Sequence, residues 1–387
     1  MRLNPTVALS CLVAFAGCSQ TGGAPSSLPV AATFDEQLRA NVSYKIVYGF
    51  KGAPDGDTPN GNLIYTAGAF YGTTTTGGGS DLGTLFKLLP SGKETLLFSF
   101  AGGPGGNSPT SGVIALGGSF YGTTSDVAFA VTAAGKATTL HAFGSGKDGA
   151  TPVLAPMHVL GGKLYGATQL GGSKRCNSGC GTIFDLTTGG TENVVYPFQG
   201  GHDGFVPLGS AIAVKDMLYG TTSYGGANNG GTVFKMSGSG TKTILYSFKG
   251  GSSDGERPSG DLIQFGGVLY GTTGFGGKND LGTVFALGTS KETVLHAFAG
   301  GADGASPNGS LTEVSDVLYG TTSGGGKGYG TIFSVTRSGK EQVLYAFRGG
   351  SDGSQPLGGL VNVNGTLYGT TSRGGPANKG TVFSIKP

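Results

Sequence analysis

The chain has 387 residues, 79 of them glycine and 17 proline, and charged residues make up only 12%, about half the ~25% usual for globular domains. At 37% hydrophobic and 10% aromatic it is too apolar for a disordered chain, and a net charge of +3 supplies no basic stripe for nucleic acid. Glycine at this density opposes helices, each one costing ~1 kcal/mol against alanine in a helix interior, so the composition predicts an all-β protein rich in turns.

Residues 1–17 carry one basic residue, Arg2, followed by an apolar stretch over 7–15. That stretch is too short for a stable membrane span, which needs about 20 residues, and it reads as a signal peptide. The run Phe15-Ala16-Gly17-Cys18 resembles a bacterial lipoprotein lipobox, with Phe15 where that motif usually has leucine. The resemblance implies lipidation of Cys18 and an extracytoplasmic, membrane-anchored lipoprotein of a bacterial envelope. Simple secretion, with cleavage after Ala32, is the alternative. Residues 18–43 read as a tether.

From residue 44 to the end the chain repeats. A Tyr-Gly-(Thr/Ala)-Thr run recurs at Tyr71, Tyr121, Tyr165, Tyr219, Tyr270, Tyr319 and Tyr368, at spacings of 50, 44, 54, 51, 49 and 49. Each repeat of about 49 residues holds four short apolar runs, A to D, of which 309–312, 317–321, 330–333 and 342–347 are the clearest set. A–B and C–D are joined by tight Gly- or Asn-Gly-containing turns, and D–A and B–C by longer loops. Run D is apolar on both alternations (Val343, Tyr345, Phe347 and Leu344, Ala346), as in a strand buried on both faces. Four-stranded sheets repeating at this period predict a β-propeller; a β-solenoid is the rival, with coils usually shorter. Residues 44–50 align with run D, and the chain stops on a run C at 381–385. The first run therefore completes the last sheet, giving seven blades of four antiparallel strands over 44–387 with no bare edge.

The motifs Leu-Tyr-Gly-Thr-Thr, Gly-Gly and Gly-Thr-Val-Phe at 218–234 and 269–285 resemble the GloVer tandem-repeat proteins over about 340 residues. The resemblance implies an extracytoplasmic, anchored repeat protein, and it carries no activity over to any residue.

The D–A and B–C loops fall on one face, which is where ligand chemistry is sought. The D–A loop places an acid at Asp55, Asp148, Asp203, Asp254, Asp303 and Asp352, with Gly105 in the second copy. Six copies of one Asp-Gly element favour a turn over a carboxylate ring at the channel mouth. His141 and His296 replace the tyrosine of run D, as a packing substitution; His158 ends a divergent run A; His202 stands beside Asp203 on the loop face. The B–C loop is short in the second repeat (Tyr121 to Phe129) and enlarged in the third (Tyr165 to Phe184), a notch beside a prominence where a ligand would lodge. The enlarged loop carries Lys174, Arg175, Cys176 and Cys180. With Cys11 in the signal segment and Cys18 in the lipobox, Cys176 and Cys180 are expected to form a disulfide. Half a metal site is the rival reading, lacking two ligands.

Asp148, Lys174, Arg175, His202 and Asp203 are thus the candidate binding residues. No catalytic, cofactor or metal motif is present in the sequence, and none of these groups is expected. The reading is a monomeric, surface-anchored, non-catalytic propeller binding a protein or glycan through its loop face, with no nucleic-acid partner and the membrane reached only through the lipid. The alternative is a secreted glycan hydrolase or lyase using carboxylates from different blades.

Overall fold

A computed structural model describes residues 42–387 apart from Ser145 and Ser290. The signal segment, the lipobox Cys18 and nearly all of the tether lie outside the described residues.

Seven antiparallel sheets form, each ordered A-B-C-D. Blade 1 covers residues 56–99, blade 2 109–142, blade 3 150–197, blade 4 205–247, blade 5 255–297, blade 6 305–346, and blade 7 354–386 together with 43–49. Closure is as the repeat register requires: Ser43–Gly49 pairs antiparallel with Thr381–Lys386, Tyr44 opposite Ile385 and Ile46 opposite Phe383.

The repeat motif is legible as a set of contacts. Each D strand runs into a phenylalanine, fully buried except for the half-buried Phe143, whose ring meets, edge-on or tilted, the strand-C phenylalanine of the next blade. Phe50–Phe86, Phe100–Phe129 and Phe298–Phe333 lie at 5.1 Å between centroids, and equivalent pairs join the other four interfaces. The glycine of Tyr-Gly-Thr-Thr sits opposite that strand-C phenylalanine. A Cβ on Gly320 would come 2.6 Å from Phe333 Cζ and 2.9 Å from Leu311 Cδ2, so only glycine admits the ring. The second threonine bonds the threonine of Gly-Thr-Val-Phe across the B–C ladder, buried, as in Thr322–Thr331 (2.7 Å) and Thr371–Thr381 (2.8 Å). The motif tyrosine packs toward the next blade, as expected: Tyr71 lies on Phe120 at 4.4 Å.

Two sequence expectations change. Strand D is not buried on both faces; Leu96 and Ile244 are exposed on the rim. Its unbroken apolar run arises from a β-bulge present in all seven C–D ladders, as between Ile46 and Tyr48, which resets the alternation mid-strand. Strand A, drawn as one strand, is interrupted. In blade 6 it is Ala305–Pro307 and Thr312–Val314, and both pieces pair with Val317–Gly324. The interruption follows the conserved-register proline, whose missing N–H ends the ladder. The residue before that proline is left-handed in every blade (Thr58, Ser108, Thr151, Val206, Arg257, Ser306, Gln355). An inter-blade backbone bond holds six of them, all but Thr151, in place, as Arg257 N–H to Gly230 O at 2.8 Å.

Candidate functional site: the loop-rich face

With A–B and C–D hairpins at one end of each sheet, the D–A and B–C loops share the other. The six D–A aspartates do not ring the channel mouth. Each turns back to its own D strand, accepting from the tyrosine hydroxyl or histidine Nε2 two residues before the buried phenylalanine. Tyr48–Asp55, Tyr246–Asp254, Tyr196–Asp203 and Tyr345–Asp352 are 2.7–2.8 Å, and His141–Asp148 and His296–Asp303 are 3.0 Å. In five of them the carboxylate also takes a loop N–H, on the same oxygen at Asp55 and Asp254 and on the other at Asp203, Asp303 and Asp352, as from Gln199 to Asp203 Oδ2 at 2.7 Å. This is the turn role that repetition favours.

A third member, not found from the sequence, comes from the first residue of the next blade's D strand. Glu94 faces Asp55, Glu192 faces Asp148, Glu292 faces Asp254 and Glu341 faces Asp303; burial first, and the neighbouring aspartate with it, push each of these glutamates up to about 7. At the blade 3–4 interface Lys242 takes this position. Its side chain is 3% exposed, and its Nζ lies 2.6 Å from Asp203 Oδ1 and above the Tyr196 ring. Burial lowers its basicity in spite of Asp203. At the seam Tyr44 takes it, stacked on Tyr345 at 3.9 Å with its hydroxyl on Asp352 O. The blade 1–2 interface has Phe98, Gly105 and Ala137 at the three positions. Hydroxyl, acceptor and acid are lost together there, a signal already present in the sequence.

The expected binding residues separate accordingly. Asp148 and Asp203 serve these interfaces, and the Asp203 carboxylate is engaged by Tyr196, Gln199 N–H and Lys242. His202, in the 3₁₀ turn Gly201–Asp203, and Lys174 and Arg175, on the enlarged loop, are exposed. Cys176 and Cys180 form the disulfide, which packs against Gly200 of the neighbouring D–A loop. Beside the enlarged loop lies an open cavity of about 620 Å³, lined by Lys147, Asp148, Ser173, Glu192 and Gln199 among others. A second cavity of about 270 Å³ lies where the strand-A interruptions meet at the axis, lined by Asn60, Asn62, Asn308, Ser310 and Asp261 among others. Asp261 accepts from Ser210 N–H at 2.7 Å, and His158 Nε2 stands 3.5 Å from its carboxylate.

Between blades 4 and 5 the loop face carries a row of flat side chains. The Phe205 and Tyr224 rings stack at 5.3 Å, the Arg257 guanidinium lies 4.9 Å from the Tyr224 and Phe275 centroids, and Phe275 is 43% exposed. Phe205 and Tyr224 are joined by a bridge between the D–A and B–C loops of blade 4, and Phe275 opposes Glu256 in blade 5.

Among solved structures the chain is similar to a streptogramin B lyase (15% identity, 89% of this chain and 98% of that one, TM-score 0.62). It is also similar to the N-terminal domain of Nup159 (10%, 89% and 96%, 0.52). A third likeness is to a Mycobacterium tuberculosis puromycin-hydrolyzing peptidase (14%, 92% and 53%, 0.52). These likenesses show the fold. No curated protein matches. Residues 14–178 and 159–383 match the Gloeobacter/Verrucomicrobia repeat, so the contacts that build these blades are those of a known repeat, and the chain belongs to that family.

Proposed function

We propose that the protein is an extracytoplasmic binding propeller, anchored through a lipid on Cys18, that captures a glycan on its loop-rich face without turning it over. The observation that carries this reading is the row Phe205, Tyr224, Arg257 and Phe275. Its π faces suit the apolar faces of sugar rings, the guanidinium offers donors to hydroxyls, and Phe275 lies exposed at its end. The carboxyl pairs that would suit a hydrolase, such as Asp148 with Glu192, recur as Asp55 with Glu94, Asp254 with Glu292 and Asp303 with Glu341. A pair that recurs at four blade interfaces belongs to the repeat rather than to one reaction centre, which supports binding over turnover. The streptogramin B lyase and the puromycin-hydrolyzing peptidase are enzymes on this fold, and at such low identity their chemistry transfers to no residue here.

The test is a glycan array with the purified protein, in native form and as Phe275→Ala and Arg257→Ala. Each loss of a stacked group is expected to weaken binding about tenfold, in line with ~1 kcal/mol or more per stacking contact. Leu96→Ala, on the opposite rim position of an outer strand, is expected to leave it unchanged. Glycan binding indifferent to Phe275, or hydrolysis of a bound glycan that Glu192→Gln abolishes, overturns the reading. In cells, Cys18→Ser is expected to move the protein out of the membrane fraction; membrane retention of that variant overturns the anchor.

A further inference from the structure

Two of the seven interfaces differ from the rest in a way that packing alone does not demand. Between blades 2 and 3 stand His141, Asp148 and Glu192, and between blades 5 and 6 stand His296, Asp303 and Glu341. In each group one ligand-capable atom per residue lies within 4.8 Å of the other two. The interfaces built on Tyr48 and Tyr246 have the same aspartate and glutamate, but a phenol pushed well above its ordinary range keeps its proton and offers no metal ligand. Neutral imidazole does offer one at Nε2 once its proton lies on Nδ1, so that the ion takes the place of the proton shared with the aspartate. The exchange of tyrosine for histidine therefore converts a proton-holding cluster into a nitrogen-and-two-carboxylate donor set.

Glu192 Oε1 and Glu341 Oε1 are buried atoms without a hydrogen-bond donor, as Glu292 Oε1 is at the Tyr246 interface, and only in the first two does a histidine nitrogen stand beside them. A buried oxygen of this kind wants a donor or a cation. The geometry needs little adjustment: two ~2.1 Å bonds at a tetrahedral angle set donors ~3.4 Å apart, and His141 Nε2 already lies 3.0 Å from Asp148 and His296 Nε2 3.0 Å from Asp303. A divalent ion would also neutralise two adjacent carboxylates that otherwise repel. At the first group the 620 Å³ cavity opens beside Asp148 and Glu192, leaving a fourth position for water or an exchangeable ligand.

We infer that His141, Asp148 and Glu192 form one site for a first-row divalent metal ion of the zinc class, and His296, Asp303 and Glu341 a second. Mixed nitrogen and carboxylate donors with one open position suit such ions better than calcium or magnesium, which favour all-oxygen shells.

The test uses the purified, chelator-treated protein with Co²⁺ as the spectroscopic probe and Zn²⁺ titrated by calorimetry. Two ions per chain are expected, with visible Co²⁺ bands of low-coordinate geometry. His141→Tyr restores the arrangement that neighbouring interfaces already use, so it is expected to keep the fold and bind one ion; the double variant His141→Tyr/His296→Tyr is expected to bind none. Affinity at each altered site should fall more than the 10–100-fold that follows loss of a group behind the ligands. Should a tyrosine variant fail to fold, Glu192→Gln with Glu341→Gln must abolish binding instead. Any stoichiometry other than two, or binding that survives in the folded double variant, overturns the inference.

Discussion

At the scale of single residues, the inter-blade positions show how one geometry accepts different chemistry. Where Tyr246, Asp254 and Glu292 meet, the glutamate is held up to about 7 by burial and then by the Asp254 charge, and its Oε1 accepts no bond. A carboxyl raised on folding binds its proton more tightly in the native state, so its contribution to stability is greatest below ~4.5 and is lost as pH rises toward about 7. Glu292→Gln removes the charge and keeps the shape. It is expected to raise unfolding free energy by about 1–2 kcal/mol at pH 8, the full shift being discounted because the group is only half-buried. At pH 4 the two proteins should coincide. Urea unfolding at both pH values decides the matter, and an equal gap at pH 4 and pH 8 would contradict the assignment. The glutamates escaped the sequence reading because an acid opening an outer strand looks like a solvated strand end. Their partner lies one blade away, about 40 residues distant along the chain, and only the ring brings the two together.

At the scale of elements, the repeat motif is a contact list between strands. Its glycine is the sharpest case, because Gly320 has ordinary backbone angles and its Cβ position is occupied by the Phe333 ring. Gly320→Ala is therefore an overpacking change, expected to cost about 3 kcal/mol. Denaturant midpoints measure it, and a loss below about 1 kcal/mol would show that the ring can shift. The D-strand bulge belongs to this scale as well. A run such as Val343-Leu344-Tyr345 carries no mark of an inserted residue, and period-two alternation reads it as burial on both sides. The enlarged loop of blade 3 was legible in its position and in its disulfide, because two cysteines four residues apart in one insertion have few other uses. That its base walls a cavity with Glu192 and Asp148 was not legible, since those residues come from other elements.

At the scale of the molecule, stability depends on a seam made by residues from opposite ends of the chain. Phe50 N–H bonds Gly380 O at 3.0 Å, Lys379 Nζ bonds Asp57 at 2.6 Å, and Tyr44 joins blade 7 to blade 6 through its stack on Tyr345. Deleting residues 42–49 strips blade 7 of its outer strand and bares the edge of Thr381–Lys386. The expected result is aggregation during expression or a broad, early melting transition by calorimetry. A deletion variant that stays monomeric and melts with the native profile would show that closure does not hold the ring.

By itself the sequence determined the fold class, the number of blades, the closing strand and the disulfide. All four follow from local or periodic signals: composition, a fixed repeat register, an unpaired terminal run, and two cysteines in one loop. The tertiary structure alone decided what the loop-face residues do. Whether Asp148 points to a channel or to His141, whether Glu192 is solvated or buried, and whether Phe205, Tyr224, Arg257 and Phe275 form one row depend on how neighbouring blades are set against each other. The physical reason is range. Strand patterning is fixed by residues two to five apart, whereas Glu192 meets Asp148 and Arg257 meets Tyr224 only across successive blades, brought together when the blades pack.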